Sequence, residues 1–239
     1  MDFRSALSDV KEALKAPRLT IDLMGARTAD NHPFYKDLVT QFYRQAVRRH
    51  PKLPVIPFYK YGIATNILPK NHGAYFMSIE ASARRNIKKA TRSGYVFQRI
   101  DYNAFIPDIA EIHRSTTVRQ GELDKNFLEQ ELKPVDNPPS LTNVHDYVYY
   151  GVLKDTRLFA YGACMIAGEV MSITDLFGHD GYKSDAVVPL LISGMAADAY
   201  EHYPNVRYFL YDKYFGASPT MRRFKRKFGF EPTSVVWKL

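Results

Sequence analysis

Apolar residues near the start of the chain recur at helical spacing and stop before Pro17. They are Phe3, Leu7, Val10 and Leu14. Because residues one helical turn apart share one face of a helix, this pattern predicts an amphipathic helix over residues 3 to 16. The next apolar segment, around Leu19 to Met24, is short and predicts a strand.

A second helical pattern starts at Asn31 and Pro33 and ends before Pro51 and Pro54. Its apolar face consists of Phe34, Leu38, Phe42 and Val47. Proline has no amide hydrogen and disrupts a helix interior, so Pro51 limits this helix. Residues 55 to 68 then have the pattern of an extended segment.

Alanine and long side chains dominate residues 78 to 94, which predicts a helix that ends at Gly94. Tyr95 to Ile100 follows as a strand, and residues 103 to 119 carry another helical stripe. That stripe consists of Phe105, Ile109, Ile112 and Thr116. A shorter helix is predicted over residues 123 to 132.

Three apolar runs follow the proline-rich loop from Pro134 to Pro139. They cover residues 147 to 154, 158 to 167 and 169 to 177. Asp155, Thr156 and Gly168 supply the turns between them. Turns this short can join only neighbouring antiparallel strands, so the runs predict a meander.

Loops, helices and strands alternate in the last part of the chain. The predicted elements are a loop at 178–185, a helix at 186–202, and strands at 207–214 and 234–239. A closing helix lies between those strands. Ser218 is typical of an N-cap, Pro219 suits the first helical position, and Gly229 suits the left-handed residue that ends a helix.

Composition excludes the disordered and fibrous classes, because 46% of the 239 residues are hydrophobic and can bury one large core or two modest ones. Cys164, the single cysteine, cannot form an internal disulfide and lies in an apolar run typical of a buried strand. No apolar run approaches the roughly 18 residues of a membrane span, and the first residues do not resemble a signal peptide. We therefore expect a cytoplasmic protein.

The formal net charge of +8 indicates polyanionic partners, because clustered Lys and Arg side chains displace counterions from phosphates. The excess is concentrated in Arg44 to Lys52, Arg84 to Arg92 and Arg222 to Lys227. The candidate phosphate-binding or nucleic-acid-binding residues are Arg84, Arg85, Lys88, Lys89, Arg222 and Arg223. Each stretch can equally be the solvated face of a helix.

From residue 95 the order of predicted elements resembles the GNAT N-acyltransferase fold, and the closing helix sharpens the resemblance. Many GNAT sequences begin this helix with asparagine, continue with a Leu-Tyr pair and end with Gly-Phe. Here Ser218 stands at the asparagine, Phe224 at the leucine and Gly229-Phe230 at the end. Lys225 replaces the tyrosine, a common general acid in the family. The resemblance implies an α+β fold with a mixed, mainly antiparallel central sheet flanked by helices.

A second resemblance covers residues 75 to 99. The run from Arg84 to Ala90, followed by Gly94 and a strand, is similar to a stretch of Fem-type peptidyltransferases and related GNAT-like enzymes. Those proteins often hold two GNAT-like domains, and this chain is too short for two complete ones. We therefore expect an N-terminal extension or truncated first unit over residues 1–94 and a GNAT-like acyltransferase domain over residues 95–239.

In GNAT enzymes the loop after the splayed strand and the next helix N-terminus hold the pyrophosphate of acyl-coenzyme A, since unpaired amides and the helix dipole attract anions. The resemblance places that site at the loop beginning near Phe177. The implied binding residues are Phe177, Gly178, His179, Gly181, Lys183 and Ser184. The alternative is an ordinary loop between a strand and a helix.

Direct acyl transfer needs a base for the attacking amine and an acid for the leaving group. Asp175 is the candidate base, because it shares a strand face with apolar Ile173 and Phe177, which would partly desolvate its carboxylate and raise its pKa. Tyr211 and Tyr214 are the candidate acids. The alternatives are a turn-capping aspartate and tyrosines that only pack.

His145 and His179 have no partners at metal-ligand spacing, so we expect no metal site. The sequence also lacks the nucleophile elbow of serine hydrolases and the Walker loop. The first hypothesis is an N-acyltransferase that moves an acyl group from acyl-coenzyme A to an amine on a small molecule, peptide or protein. An aminoacyl-tRNA-dependent Fem-like transferase and a non-catalytic binding module are the alternatives.

Overall fold

A computed structural model describes residues 12–13, 15–50, 53–57, 61–116, 131–215 and 217–239. Its strands are β1 (Arg18–Asp22), β2 (Arg49–His50), β3 (Leu53–Pro57), β4 (Tyr61–Ile67), β5 (Val96–Arg99), β6 (His145–Lys154), β7 (Arg157–Ala167), β8 (Val170–Gly178), β9 (Tyr208–Lys213) and β10 (Glu231–Lys238). Its helices are α1 (Pro33–Val47), α2 (His72–Ser78), α3 (Ala81–Arg92), α4 (Ile106–Arg114), α5 (Val187–His202) and α6 (Pro219–Lys227). Short 3₁₀ segments cover Gly25–Asp30, Tyr102–Phe105 and Asp180–Asp185.

Eight strands form one mixed sheet in the order β1-β10-β4-β9-β8-β7-β6-β5. The pairs β1–β10 and β8–β9 are parallel, and the other neighbouring pairs are antiparallel. The remaining two strands, β2 and β3, form a separate antiparallel pair. The α+β class with a mainly antiparallel central sheet is therefore confirmed.

Helices cover both faces of the sheet. On one face, Leu191 and Met195 of α5 join Ile87 of α3 and Phe228, directly after α6, in the largest buried apolar cluster. On the other face, Val39 of α1 packs with strand residues of a second cluster. Ile109 and Ile112 of α4 belong to a third cluster beside β6 and β7.

The three-stranded meander is confirmed as β6, β7 and β8. Asp155 and Thr156 form the first turn with positive φ angles of 49° and 70°. Gly168 forms the second turn at a φ of 58°, and a Cβ there would lie 2.5 Å from the backbone oxygen of Asp22. Both turns therefore lie where the sequence predicts them.

The closing helix α6 also begins and ends as predicted. The Ser218 hydroxyl accepts a hydrogen bond from the Met221 amide at 3.2 Å, and Pro219 is the first helical residue. Gly229 follows the helix with a φ of 75°, in the left-handed region that glycine adopts without strain.

Several element boundaries differ from the sequence prediction. The helix predicted from residue 78 begins at Ala81, because Glu80 has an extended backbone. Helix α2 was missed; it is short and begins where the Asn71 side chain accepts a hydrogen bond from the Ala74 amide. The helix predicted over 103–119 is split into a 3₁₀ turn and α4.

Two predicted helices, at 3–16 and 123–132, lie mostly outside the described residues. The part of the chain before residue 95 contributes β1 and β4 to the central sheet, on either side of β10. The domain boundary near residue 94 stays a prediction.

An ion pair between a buried aspartate and a partly exposed arginine fixes α5 to the sheet. Asp198 of α5 is 6% exposed and accepts hydrogen bonds from Arg99 of β5 at 2.7 and 2.8 Å. It also accepts one from the Tyr150 hydroxyl of β6 at 2.7 Å. The helix is thereby held against the edge strand β5 and its neighbour β6.

Candidate functional site

The parallel strands β8 and β9 pair over three residues and then separate. Val170, Met171 and Ser172 of β8 lie opposite Tyr208, Phe209 and Leu210 of β9. From Ile173 to Gly178, no described strand pairs with the edge of β8 that faces β9, whereas the opposite edge stays paired with β7. The sheet therefore opens into a wedge-shaped cleft.

Backbone irregularities occur on both sides of this cleft. In β8, the register against β7 shifts at Thr174, between the pairs Cys164 with Ile173 and Ala163 with Asp175. In β9, Asp212 has a φ of 49°, and the register against β4 shifts there as well. Such bulges bend a strand and redirect its side chains.

The cleft leads into a cavity of about 710 Å³. Ile173 to Gly178 of β8 form one wall, and Tyr211 and Asp212 of β9 form the other. Helices α3 and α6 line the remaining sides, and the first residues of α5 lie at the end of β8. A cavity of this size has the volume of ordinary small-molecule and cofactor sites.

Asp175 lines the cavity as the only carboxylate that the described part of β8 supplies to it. Its Oδ2 atom accepts hydrogen bonds from the Tyr147 hydroxyl at 3.4 Å and the Thr174 hydroxyl at 3.5 Å. Burial raises the pKa of the Asp175 carboxyl, and these two hydrogen bonds oppose the rise. The direction of the pKa shift is the one that a general base requires.

The predicted neighbours of Asp175 need one correction. Ile173 belongs to the cluster under α5, whereas Phe177 packs against the cluster beside α4 on the opposite face. The bulge at Thr174 adds a residue to β8 and thereby breaks the alternation that the sequence argument assumed. Burial of Asp175 therefore does not depend on Ile173 and Phe177 sharing one face.

Tyrosines that the sequence analysis did not single out surround Asp175. The negative charge of Asp175 contributes to the raised pKa values of Tyr102, Tyr147 and Tyr149, after burial, which is the larger cause. Tyr147 and Tyr149 alternate along β6, and that period-two spacing in the sequence was the available signal.

The two candidate acids lie in different places. Tyr211 lines the cavity, and burial raises its pKa, so its hydroxyl is protonated at neutral pH. Tyr214 is fully buried and is not a residue of the cavity wall. The guanidinium groups of Arg222 and Arg226 lie 5.7 and 5.5 Å from its ring centroid. The structure therefore brings Tyr211, and not Tyr214, to the same cavity as Asp175.

Several polar groups of the loop after β8 are engaged in hydrogen bonds or ion pairs within the protein. The His179 Nδ1 atom accepts a hydrogen bond from the Gly181 amide at 3.2 Å, and the Asp180 amide donates to the Ser115 hydroxyl at 2.9 Å. Lys183 forms an ion pair with Asp180. The amides best placed for an anion are therefore those of Val187 and Val188, because the first amides of a helix have no partner within it.

The other predicted loop residues divide into two groups. Phe177, Gly178, His179 and Lys183 line the cavity, whereas Gly181 and Ser184 are exposed outside its wall. Phe177 stacks on Tyr161 with ring centroids 5.3 Å apart. The carbonyl oxygen of Ser184 accepts a hydrogen bond from Lys89 at 2.6 Å, which ties the loop to α3.

Several of the predicted phosphate-binding side chains already have hydrogen-bond or ion-pair partners within the protein. Arg84 donates to the carbonyl oxygen of Ile79 at 2.5 Å, and Arg223 forms an ion pair with Glu80 at 2.5 Å. Arg222 donates to the carbonyl oxygen of Ala217 at 3.1 Å.

Lys88 and Arg85 project from α3, and both are exposed. The Lys88 ammonium lies 6.0 Å from the centroid of the Phe76 ring, and Arg85 has no ion-pair partner among the described residues. Lys227, which the sequence analysis did not single out, lines the cavity. Arg85 and Lys88 on α3 and Lys227 at the cavity are therefore cationic groups that a ligand can contact.

Across the described ranges, no group of three or more His, Cys, Asp or Glu side chains is arranged to hold a metal ion. In that same portion of the chain, no helix has the length and apolar character needed to cross a bilayer. Cys164 is fully buried in β7, and burial raises the pKa of its thiol, which disfavours the nucleophilic thiolate.

Solved structures with the same architecture include FemX. It superposes with a TM-score of 0.55 at 11% sequence identity, over 72% of this chain and 59% of the FemX chain. The fold is GNAT-like. A conserved protein of unknown function from Bacteroides thetaiotaomicron VPI-5482 gives a TM-score of 0.50 at 12% identity, over 72% of this chain and 58% of its own.

A GCN5-related N-acetyltransferase from Kribbella flavida is a more distant match, with a TM-score of 0.38 at 12% identity, over 59% of this chain and 48% of its own. No protein-family model and no curated protein matches the sequence. The chain spans less than two thirds of the length of the solved structures named here. The GNAT-like resemblance with Fem similarity is thus confirmed at the level of the fold.

Proposed function

We propose that the protein is an N-acyltransferase that moves an acyl group from acyl-coenzyme A to an amine. The observation that carries this proposal is the separation of β8 from β9, which opens a cavity between an unpaired strand edge, the first turn of a helix and a desolvated carboxylate. Fold alone does not determine function, so the proposal rests on this site.

The residues present fit the two ends of acyl-coenzyme A. The edge of β8 that faces β9, from Thr174 to Leu176, can pair with the amide groups of an extended pantetheine arm, as a further strand would. The amides of Val187 and Val188 and the ammonium of Lys227 are the cavity's groups for a pyrophosphate. The ion pair with Lys183 offsets the charge of Asp180 at that end.

Asp175 and Tyr211 would carry the proton transfers. Asp175 accepts a proton from the acceptor ammonium, and the free amine then attacks the thioester carbonyl. A carbon–nitrogen bond forms, the carbon–sulfur bond breaks, and the leaving thiolate takes a proton from Tyr211, which regains a proton when the acceptor nitrogen loses its second one. The raised pKa of Asp175 and the protonated state of Tyr211 support these roles.

Calorimetric titration with coenzyme A and acetyl-coenzyme A tests the proposal directly. We expect saturable binding of one ligand per chain, and about ten-fold weaker binding to Val188→Asp, which places a carboxylate beside the pyrophosphate. Met77→Asp is the matched control, because Met77 is 67% exposed on α2 and outside the cavity. Absence of saturable binding to the unmodified protein would remove the central support for acyl-coenzyme A as donor.

A second candidate function is an aminoacyl-tRNA-dependent transfer, as the Fem-like resemblance implies. The observation that favours it is the exposure of Arg85 and Lys88 on α3, the helix that lines the cavity through Ala83 and Asn86. Cations at the mouth of a cavity can hold the backbone of a large polyanionic donor outside it.

Charge reversal distinguishes this candidate. The variant Arg85→Glu/Lys88→Glu should bind transfer RNA more weakly, and the slope of log affinity against log salt should fall by about 0.7 to 0.9 for each lost phosphate contact. Filter binding over a salt series measures both quantities. Lys36→Glu/Lys238→Glu is the control, since these exposed lysines lie on α1 and β10. Equal RNA affinity of the two double variants would exclude the hypothesis that α3 binds the RNA of an aminoacyl-tRNA donor.

A further inference from the structure

Lys225 of α6 is a buried lysine that lies against β9. It is 2% exposed, and its Nζ atom donates hydrogen bonds to the carbonyl oxygens of Tyr211 at 2.7 Å and Lys213 at 2.6 Å. The same atom lies 4.6 Å from the centroid of the Tyr211 ring. Burial lowers the pKa of Lys225 to about 8, and the charge of Asp212 opposes this effect.

The two carbonyl groups belong to the part of β9 that has left β8. Pairing between the strands stops at Leu210, and Asp212, between the two bonded residues, has the left-handed backbone of the bulge. Carbonyl groups that leave a strand pair accept hydrogen bonds from other donors where these are within reach. The ammonium of Lys225 supplies them.

We infer that Lys225 is a positioning residue that holds the bulged end of β9 away from β8 and so keeps the cleft open. Its ammonium donates to the carbonyl oxygens of Tyr211 and Lys213, on either side of the bulge. These hydrogen bonds take the role that pairing with a neighbouring strand has elsewhere in the sheet. The importance of this cleft for coenzyme A rests on the proposed function, whereas the effect of Lys225 on the strands does not.

Lys225 is not placed to transfer protons in the cavity. The residue is not part of the cavity wall, and Tyr211, whose ring it contacts, is. Its Nζ atom is engaged by two backbone oxygens. Lys225 can therefore affect chemistry in the cavity only through the placement of β9 and of the Tyr211 side chain.

Amide hydrogen exchange on the ligand-free protein tests the inference without any assumption about the donor. In Lys225→Met, which removes the donors, exchange in the peptide covering residues 208–214 should be about ten-fold faster than in the unmodified protein. Exchange in the β6–β7 hairpin, far from Lys225, should be unchanged. The matched control is Lys36→Met, which makes the same substitution at an exposed lysine of α1.

Lys225→Gln keeps two N–H groups on a shorter side chain and should give an intermediate exchange rate, which decides the question if the methionine variant does not fold. Coenzyme A titration then measures the consequence, and its dissociation constant should rise about ten-fold in Lys225→Met and stay unchanged in Lys36→Met. Wild-type exchange at 208–214 in both Lys225 variants would overturn the inference. If the unmodified protein does not bind coenzyme A, the proposed donor is wrong. The exchange data still test whether Lys225 holds the bulged end of β9.

Discussion

Replacing Asp175 with asparagine should lower kcat for acyl transfer by about 100- to 10,000-fold, the usual contribution of a positioned general base. Asparagine has the same size and can still accept the hydrogen bonds from Tyr147 and Thr174, but it cannot take a proton from the acceptor ammonium. The coenzyme A dissociation constant should not change. Steady-state kinetics and calorimetry on the same preparation measure the two quantities.

The pH dependence follows from the raised pKa of Asp175. The base acts in its ionised form, so kcat/KM should fall as the pH decreases through that raised pKa, which lies above the ordinary 3.8. Ionisation of Asp175 has the opposite effect on the free energy of unfolding to ionisation of a salt-bridged carboxylate. Because the folded state binds this proton more tightly than the unfolded state, ionisation of Asp175 destabilises the fold, and protonation at lower pH relieves the cost.

The control for this variant is Asp185→Asn. Asp185 belongs to the 3₁₀ segment after β8 and accepts a hydrogen bond from the Tyr95 hydroxyl at 2.7 Å, outside the cavity wall. It should keep the kcat of the unmodified enzyme. Retention of that kcat by Asp175→Asn, in a preparation that binds coenzyme A, would assign the proton transfer to another group.

Local signals in the sequence were enough to predict the meander and the closing helix. Two-residue turns require particular residues, and Asp155 and Thr156 adopt the positive φ angles that such a turn demands. The cap at Ser218 and the end at Gly229 depend only on backbone geometry within a few residues. Features of this kind are readable because the chemistry that fixes them lies nearby in the chain.

Contacts between distant parts of the chain could not be predicted in the same way. The insertion of β4 between β9 and β10 depends on pairing of residues far apart in sequence, for example Thr65 with Leu210. The separation of β8 from β9 likewise arises from the bulges at Thr174 and Asp212. An apolar pattern does not reveal an extra residue in a strand, and the face predicted for Ile173 was wrong for this reason.

The candidate site was accessible from the sequence in part. Asp175 was singled out because a carboxylate in an apolar strand is unusual, and the loop after β8 was singled out from its position in the resemblance; both lie at the cavity. The sequence marks Lys225 only as the residue at the family's tyrosine position, which does not predict its contact with β9. Lys225 lies in a run of basic residues, and only the packing of α6 against β9 distinguishes it from its exposed neighbours.

Replacing Asp198 with alanine should lower the free energy of unfolding by about 2 to 4 kcal/mol, the largest stability effect that we expect from a single substitution in α5. The change leaves the Tyr150 hydroxyl, in a fully buried residue, and the Arg99 guanidinium without their shared acceptor. The Arg99 side chain is 39% exposed, so water can solvate part of its charge and keeps the expected loss below that of a fully buried pair.

Urea denaturation of the ligand-free protein measures this loss, with Glu201→Ala as the control because Glu201 is exposed on the same helix. A lower midpoint at an unchanged slope would show that the folded state alone is destabilised. Because the first turn of α5 lines the cavity, loosening its far end should also weaken coenzyme A binding under mildly denaturing conditions. A midpoint equal to that of the control would mean that the network of Arg99, Tyr150 and Asp198 contributes nothing to holding α5 on the sheet.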